Sequence, residues 1–519
     1  MKPIYLVLIL IALISFTGCS EDFLDKQPLD QISAETFWKT RQDADMALTA
    51  CYAGLDRRYP HPWGDDNFGL GEWGAGQMSW MTPVWDCLTD NAADNWGDGF
   101  GFKEASLGLI EPDMSESFVT YAAFYIRYMA IATCNIFIEN IDNVEELNEQ
   151  EIAEYKAEVM FLRAFLYFTL AEMYGGVPLV TEPIPVEESL LAKSPKSDVI
   201  DQVKEDLDFA ISNLPDDPYE GHAVKGSALA LKARVLLYEE DWSGAASLAL
   251  QVMNSGGGFT LSESYQSNFF PDEQEGNPEI IFSIKYLYPT NAHFMDAHHA
   301  QWQNIAPLEN FVDAFECTDG LPTDESAVFD PDNPYDNRDP RLRMTVAVYG
   351  DPDPYSDNGI FDENDRPQDI TTPFLYQKWL TPGYGWDNYG DSEQDIVLLR
   401  YADVLLMYAE AQNEAVGPDA LVYSAVNEVR ERVEMPELVA GLSQSEMRDH
   451  IRLERRVELS FEGTRYFDLK RWGTYLELNN QIIEPGQGFQ RDVQEHQLIW
   501  PFPQAEIDIN PNLVQNPEY

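Results

Sequence analysis

The run ALALKARVLLY from Ala228 to Tyr238, a polar break from Glu239 to Gly244 and the returning run AASLALQVM from Ala245 to Met253 decide how this chain is built. Ala-rich text without Pro or internal Gly favours helix on both sides of the break. Ala233 lies twelve residues before Ala245, with Leu236, Ala249 and Val252 at the other packing offsets. Small residues at these positions let two antiparallel helices approach closely.

Such a pair looks like one tetratricopeptide unit, and units of this kind bury their apolar faces by stacking on neighbours. The surrounding text supplies neighbours. AEVMFLRAFLYFTLAEM from Ala157 to Met173 is apolar on nearly every face, the mark of a helix buried on all sides, and Gly175-Gly176-Val177-Pro178 ends it. Further helices are predicted over Asp198 to Asn213, Arg400 to Gly417, Ala420 to Val433 and Ser443 to Glu462. Two stretches read differently. Tyr59 to Gly101 is rich in Gly, Trp and Asp, and Pro271 to Asp395 is rich in Pro, Asp, Asn and aromatics, with short β-like pieces such as Glu279 to Lys285. Structureless loops of that length inside a domain are usually functional. The expected fold is mainly α: a tetratricopeptide-like helix-pair scaffold with a loop-rich region containing a few short β-strands.

The chain has 519 residues, with 33 Lys and Arg against 90 Asp and Glu, a formal net charge of −57. An acidic surface gains nothing from counterion release, so nucleic acid is excluded as a partner. With 44% hydrophobic and 13% aromatic residues, disorder is excluded as well. At the N-terminus, Lys2 and an apolar run from Ile4 to Ile14 suit a secretory signal and are too short to span a bilayer. Phe16-Thr17-Gly18-Cys19 resembles the lipobox of a bacterial lipoprotein, which makes residues 1–18 the signal peptide and Cys19 the lipidated terminus. Several acyl chains on one residue anchor durably, at ~0.8 kcal/mol per buried methylene. Ser20-Glu21-Asp22 looks like an export tag to the outer face of the outer membrane. No other stretch has the length of a transmembrane helix, so membrane contact is expected through the lipid only. Cys51, Cys87, Cys134 and Cys317 allow three pairings, but Cys51 and Cys134 sit in apolar helical text and read as buried free thiols.

Motifs for bond chemistry are absent or out of context. There is no HExxH, GxSxG or Walker-type sequence. Gly69-Leu70-Gly71-Glu72-Trp73-Gly74 fits GxGxxG, yet it follows polar Asp65-Asp66-Asn67 and opens no helix, so it is no dinucleotide fingerprint. Carboxylate pairs are too abundant to single out glycosidase chemistry. His293, His298 and His299 with Asp296 could ligate a metal, and Asp351, Asp353, Asp357, Asp362 and Asp365 could hold calcium; both read better as ordinary structure and a solvated loop. Arg452, Glu454, Arg455, Arg456, Glu458 and Glu462 alternate in sign, with Arg455 and Glu458 one turn apart, and read as an ion network docking a helix. No catalytic residue, metal or cofactor is expected.

The strongest local functional signal is tryptophan. Trp63, Trp73, Trp80, Trp85 and Trp96, five of the 12 in the chain, lie among glycines and polar residues that make a poor core. Flat indoles beside amides and carboxylates suit a sugar ring, whose C–H face stacks while its hydroxyls hydrogen-bond. Trp85 abuts apolar text and is expected to be structural.

Several blocks, in order, resemble the SusD/RagB family of outer-membrane nutrient-binding lipoproteins. They are Glu21-Asp22-Phe23-Leu24-Asp25, Phe37-Trp38-Lys39-Thr40, Tyr125-Ile126-Arg127 with Asn135-Ile136-Phe137-Ile138-Glu139, and Phe161-Leu162-Arg163-Ala164 with Tyr174 to Leu179. Arg338-Asp339-Pro340-Arg341-Leu342, Arg400 to Ala411, Glu454 to Leu459, Arg465 to Trp472 and Gln515 to Tyr519 continue the series. The resemblance implies an N-terminal region 19–230 that carries the aromatic loop 59–101. It implies a C-terminal region 231–519 that is loop-rich over 271–395 and helical over 396–472. It also implies a partner, a SusC-like TonB-dependent barrel covered by the lipoprotein as a lid, with a glycan, or in some members a peptide, held between them. The position of the family's contact loop implies Asn95 and Trp96 as ligand residues, with Tyr288 and Trp302 in the second loop region and Trp63, Trp73 and Trp80 in the first. The function expected is glycan capture at the outer membrane; peptide capture, a surface glycoside hydrolase and a cytoplasmic repeat scaffold are the alternatives.

Overall fold

The computed structural model describes residues 37–56, 82–95, 101–114, 123–356, 358–362 and 372–519. Cys19, Trp63, Trp73, Trp80 and Trp96, together with Asp357 and Asp365, lie outside the described residues. Nine helices of twelve residues or more occur among the described residues: α1 (Arg41–Ala53), α2 (Ala123–Asn140), α3 (Glu149–Tyr174), α4 (Lys196–Asn213), α5 (Lys225–Tyr238), α6 (Trp242–Met253), α7 (Tyr401–Val416), α8 (Ala420–Glu431) and α9 (Gln444–Glu458). Among these residues no helix is long and apolar enough to cross a membrane.

Local chemistry sets the helix ends. Asn148 accepts from the Gln150 and Glu151 amides while Glu151 reaches back to the Asn148 amide, a reciprocal cap that starts α3. Gly175, at φ 70°, ends it, donating its amide to the Ala171 carbonyl. Between α5 and α6, the Asp241 carboxylate caps the Gly244 amide. Gly244 fits closely there: a Cβ would lie 2.5 Å from the Asp241 carboxylate and 2.8 Å from Leu236, so both side-chain ends would have to shift. Ala233, Ala245 and Ala249 are fully buried between the two helices, as their spacing predicts. The line between residues 230 and 231 runs through α5.

The helices stack in chain order: α2 on α3, α3 on α4, α4 on α5 and α5 on α6. Then α6 packs on α7, although the chain between them, from Asn254 to Arg400, leaves the stack and returns. The scaffold is therefore continuous in space and interrupted in sequence. Buried Arg163 bolts the first helices, with its Nε and Nη2 both on the Asp206 carboxylate of α4 (2.8 and 2.7 Å) and Nη1 on Asn135 of α2 (2.8 Å).

Six short strands are present among the described residues: β1 (Ala92–Asp94), β2 (Ile280–Ile284), β3 (Ile305–Pro307), β4 (Val346–Val348), β5 (Phe374–Tyr376) and β6 (Ile396–Arg400). They form three antiparallel two-stranded ladders, β1–β3, β2–β6 and β4–β5. The β2–β6 ladder joins the outgoing and returning ends of the long insertion. One hydrophobic core draws on the helices and on β2, β3 and β6 together.

The C-terminal charges differ from their local reading. Arg455 and Glu458 do not pair with each other. Arg455 binds Asp403 and Asp468 (2.9 Å each), while Glu458 takes Arg341, Arg400 and Arg432 at 2.8, 2.6 and 2.5 Å. The charged side chains are all nearly inaccessible to solvent, and buried ions need partners on the elements that cover them. The network still docks α9, reaching Glu279 beside β2 through Arg400 and Arg432. It also ends α9 early, at Glu458 instead of Glu462. Lys378 and Arg400 claim the Glu458 carbonyl, Lys378 that of Ser460 and Trp379 that of Phe461. Cys51, Cys87, Cys134 and Cys317 are buried free thiols. Trp85 is buried too, lying flat on Trp500 with 5.4 Å between centroids and 2° between planes.

Candidate ligand-binding face

The site begins with a strut. Residues Thr89 to Asn95 carry few apolar side chains of their own and are held by three C-terminal arginines, two of them from the family blocks. Arg465 clasps the Asp90 carboxylate with two donors (3.0 and 2.9 Å). Arg456 binds the same carboxylate, the Asp90 carbonyl and the Asn91 side chain. Arg491 donates to the Thr89 and Ala92 carbonyls at 2.8 and 3.0 Å. Burial pushes the Asp90 carboxyl up, but the adjacent Arg456 and Arg465 charges outweigh it and hold it at about 2. The motif blocks near the C-terminus thus act as a clamp on the segment that leads to residue 96.

From that clamp, β1 pairs with β3 in the register Ala92 to Pro307, Ala93 to Ala306 and Asp94 to Ile305. Asn95 extends the pairing, its amide donating to the Asn304 carbonyl (2.8 Å) and its side-chain nitrogen to that of Gln303 (3.1 Å). The two stretches with loop composition therefore meet here. Asn95 is half-buried at the junction. Trp302, one residue before Gln303, is 8% exposed, packed edge-on against His298 and tilted against Phe294. Its ring presents little surface.

An exposed indole stands beyond it at Trp386, half of whose surface meets solvent. Its Nε1 donates to the Tyr355 carbonyl at 2.6 Å, and the rings of Tyr355 and Tyr389 meet it edge-on at 6.3 and 6.0 Å. The loop that carries it is cinched at both ends by one buried carboxylate. Asp296 accepts from the Thr381 amide (2.7 Å), the Thr381 hydroxyl (2.9 Å) and the Ser392 hydroxyl (2.7 Å). Burial raises the Asp296 carboxyl above its ordinary value, against the lowering effect of these donors. Phe294 touches the same loop, 3.0 Å from where a Cβ of Gly390 would stand. Trp386 was missed in the sequence, although Tyr384-Gly385-Trp386-Asp387-Asn388-Tyr389-Gly390 repeats the composition of the longer aromatic segment.

Tyr288 is also half-exposed, at the tip of a hairpin closed by the Leu287–Asn291 bridge, with its amide on Glu393 (2.8 Å). His293 bridges to Ser392, so the Tyr288 hairpin and the Trp386 loop rise side by side. A cavity of about 470 Å³ opens at the hairpin base, lined by Asn291, Lys285, His222, Tyr52 and Asp56 among others.

The histidines are committed to the scaffold. His293 Nε2 lies 2.9 Å from the Gln394 carbonyl, and burial lowers its pKa to about 4. His298 Nδ1 faces Asn304 Oδ1 (2.8 Å); His299 faces the Tyr376 carbonyl (2.7 Å) and Asp353 (3.3 Å). Of the acidic loop, Asp351 holds Arg343 and the Val348 amide, and Asp362 holds Asn358. Among the described residues no group of His, Cys, Asp or Glu has the arrangement of a metal site.

Two family models match the chain, one described as the SusD family over residues 250–519 and one as starch-binding associating with outer membrane over residues 103–237. A SusD-like protein, P38, of Formosa agariphila is 28% identical over 553 residues, covering 99% of this chain and 98% of its own. A solved SusD-like carbohydrate binding protein from Bacteroides fragilis is 26% identical with a TM-score of 0.78, over 92% of this chain and 100% of that one. Another SusD-like protein from the same species shares 24% identity with a TM-score of 0.79, over 95% of this chain and all of that one.

Proposed function

Since the chain belongs to the SusD family, we propose that it is a lipid-anchored protein of the outer-membrane surface that binds a glycan and delivers it to a SusC-like TonB-dependent barrel, acting as its lid. The observation that carries the reading is the Trp386 platform: an exposed indole held by a hydrogen bond to a backbone carbonyl and flanked edge-on by two rings. A rigid flat ring stacks on a pyranose without losing rotamer freedom on binding. A carbohydrate-binding relative of similar fold supports the ligand class, and the match to an outer-membrane starch-binding model supports the place.

In this reading Trp386 and Tyr288 offer stacking surfaces, with Trp96, Trp73, Trp80 and Trp63 from the aromatic segment. Asn95 contributes hydrogen bonds at the junction, and Trp302 supports the face from beneath. A few stacks at about 1 kcal/mol each give the weak hold that release into a transporter needs. Cys19 carries the lipid. No bond is made or broken.

The test is affinity electrophoresis of the purified protein through gels containing a panel of polysaccharides, with reducing ends assayed in parallel. Retardation by at least one glycan without new reducing ends is expected. Sustained release of reducing ends, or retention by peptides and by no glycan, overturns the proposal. Cys19→Ser is expected to move the protein out of the membrane fraction; unchanged membrane association overturns the anchor.

A further inference from the structure

Most buried arginines of this chain sit on carboxylates: Arg163 on Asp206, Arg341 on Asp339, Arg400 on Glu279 and Arg455 on Asp403. Arg338 instead spends its donors on the Phe315, Pro334 and Val312 carbonyls. Arg127 of α2 has one carbonyl and, among the described residues, no carboxylate. It is 2% exposed; Nη1 donates to the Ala123 carbonyl at 2.6 Å, and Nε has no partner among the described residues. No carboxylate of the described residues forms an ion pair with it.

Arg127 lines a cavity of about 120 Å³ between α2, α3 and α5, walled by aromatic residues including Trp85, Phe168 and Phe467. The other charged residues of the wall are engaged elsewhere. Arg234 holds Asp403 (2.7 Å), Glu172 is held by Lys196 (2.7 Å) and Glu462 by Lys378 (2.6 Å). In a chain with a formal net charge of −57, a buried guanidinium beside a cavity with no ion-pair partner among the described residues departs from the pattern of most of its buried arginines. Burial lowers the Arg127 pKa to about 10, the direction expected of a guanidinium that lacks an anion.

We propose that this cavity binds a small oxyanion, the chemistry shared by carboxylate, sulfate and phosphate, on the guanidinium of Arg127. The planar fork of arginine matches two oxygens of such a group. Low-dielectric aromatic walls strengthen the pairing. The site uses none of the side chains of the Trp386 face and stands independently of the glycan reading.

The experiment is equilibrium dialysis of the purified protein against radiolabelled sulfate at constant ionic strength, with phosphate and acetate as competitors. Saturable binding displaced by both competitors is expected. Arg127→Met is expected to weaken it about ten-fold or more, and Arg127→Lys to restore part, since a point charge lacks the fork. Circular dichroism establishes that each variant is folded. Absence of saturable binding to the unaltered protein, or binding equally tight in folded Arg127→Met, overturns the site. Should Arg127→Met fail to fold, the unaltered protein decides through its melting temperature. A saturable rise of about 2 °C in sulfate over chloride at equal ionic strength is expected; no difference between the salts overturns the proposal.

Discussion

Trp386 is tied to Tyr355 by a hydrogen bond from its Nε1 to a main-chain carbonyl 31 residues earlier, at 2.6 Å. The bond holds an indole in solvent without burying it, so the ring's packing contribution to stability is small, and under the proposed function its face serves binding instead. Trp386→Ala is expected to weaken glycan retention about five- to ten-fold, the loss of roughly 1 kcal/mol of stacking. The melting temperature should shift by no more than about 2 °C. Affinity electrophoresis beside differential scanning calorimetry checks both, and a large drop in melting temperature would assign the ring to the fold instead.

Asp296 governs the same ring from below. Asp296→Ala leaves the Thr381 and Ser392 donors without their acceptor and should cost about 2–4 kcal/mol. Asp296→Asn, which keeps an oxygen, should cost less. Hydrogen exchange is expected to accelerate in residues 381–392 ahead of the α3–α6 stack. Uniform acceleration would show that Asp296 supports the whole domain rather than this loop.

Acid should release the strut. Asp90 has a folded pKa of about 2 against an ordinary 3.8. A depressed carboxylate stabilises the fold above its unfolded value, and that stabilisation is lost as pH falls through about 4 towards 2. At neutral pH Asp90→Asn should cost about 3 kcal/mol, as expected when one partner of a buried ion pair is removed. The gap between variant and parent should narrow as pH falls from about 4. Urea titrations across that range measure it, and a gap independent of pH would mean that Asp90 acts through shape alone.

The thiols give a separate check on burial. Cys51, Cys87, Cys134 and Cys317 are expected to resist maleimide in the native protein and to react in denaturant without prior reduction. Labelling that requires a reductant would reveal a disulfide.

Where the sequence was readable, local chemistry was sufficient. The glycine stop at Gly175 and the alanines of α5 and α6 act within a few residues, so these features follow from the text, whereas the reciprocal cap at Asn148 starts α3 at Glu149, ahead of the apolar run read from Ala157. The insertion was visible from composition. Long-range partners were not. Arg455 and Glu458 looked like a pair because they are neighbours on one helix, whereas their real partners come from other elements. The three-residue strands β1 and β3 are too short to show any period, so nothing in the sequence placed Asn95 beside Asn304. Trp386 did carry a compositional signal, outweighed by the longer segment with more tryptophans. Of the residues named from the sequence, Asn95, Tyr288 and Trp302 can be placed in the structure, and Trp63, Trp73, Trp80 and Trp96 lie outside the described residues.

The β2–β6 ladder brings the two ends of the insertion to the same edge of the helix stack. Everything between those ends is a closed excursion, whose length changes the closure entropy only slowly. Evolution can therefore rewrite the excursion as a cassette, exchanging one recognition surface for another, while the stack keeps its register and its docking of α6 on α7.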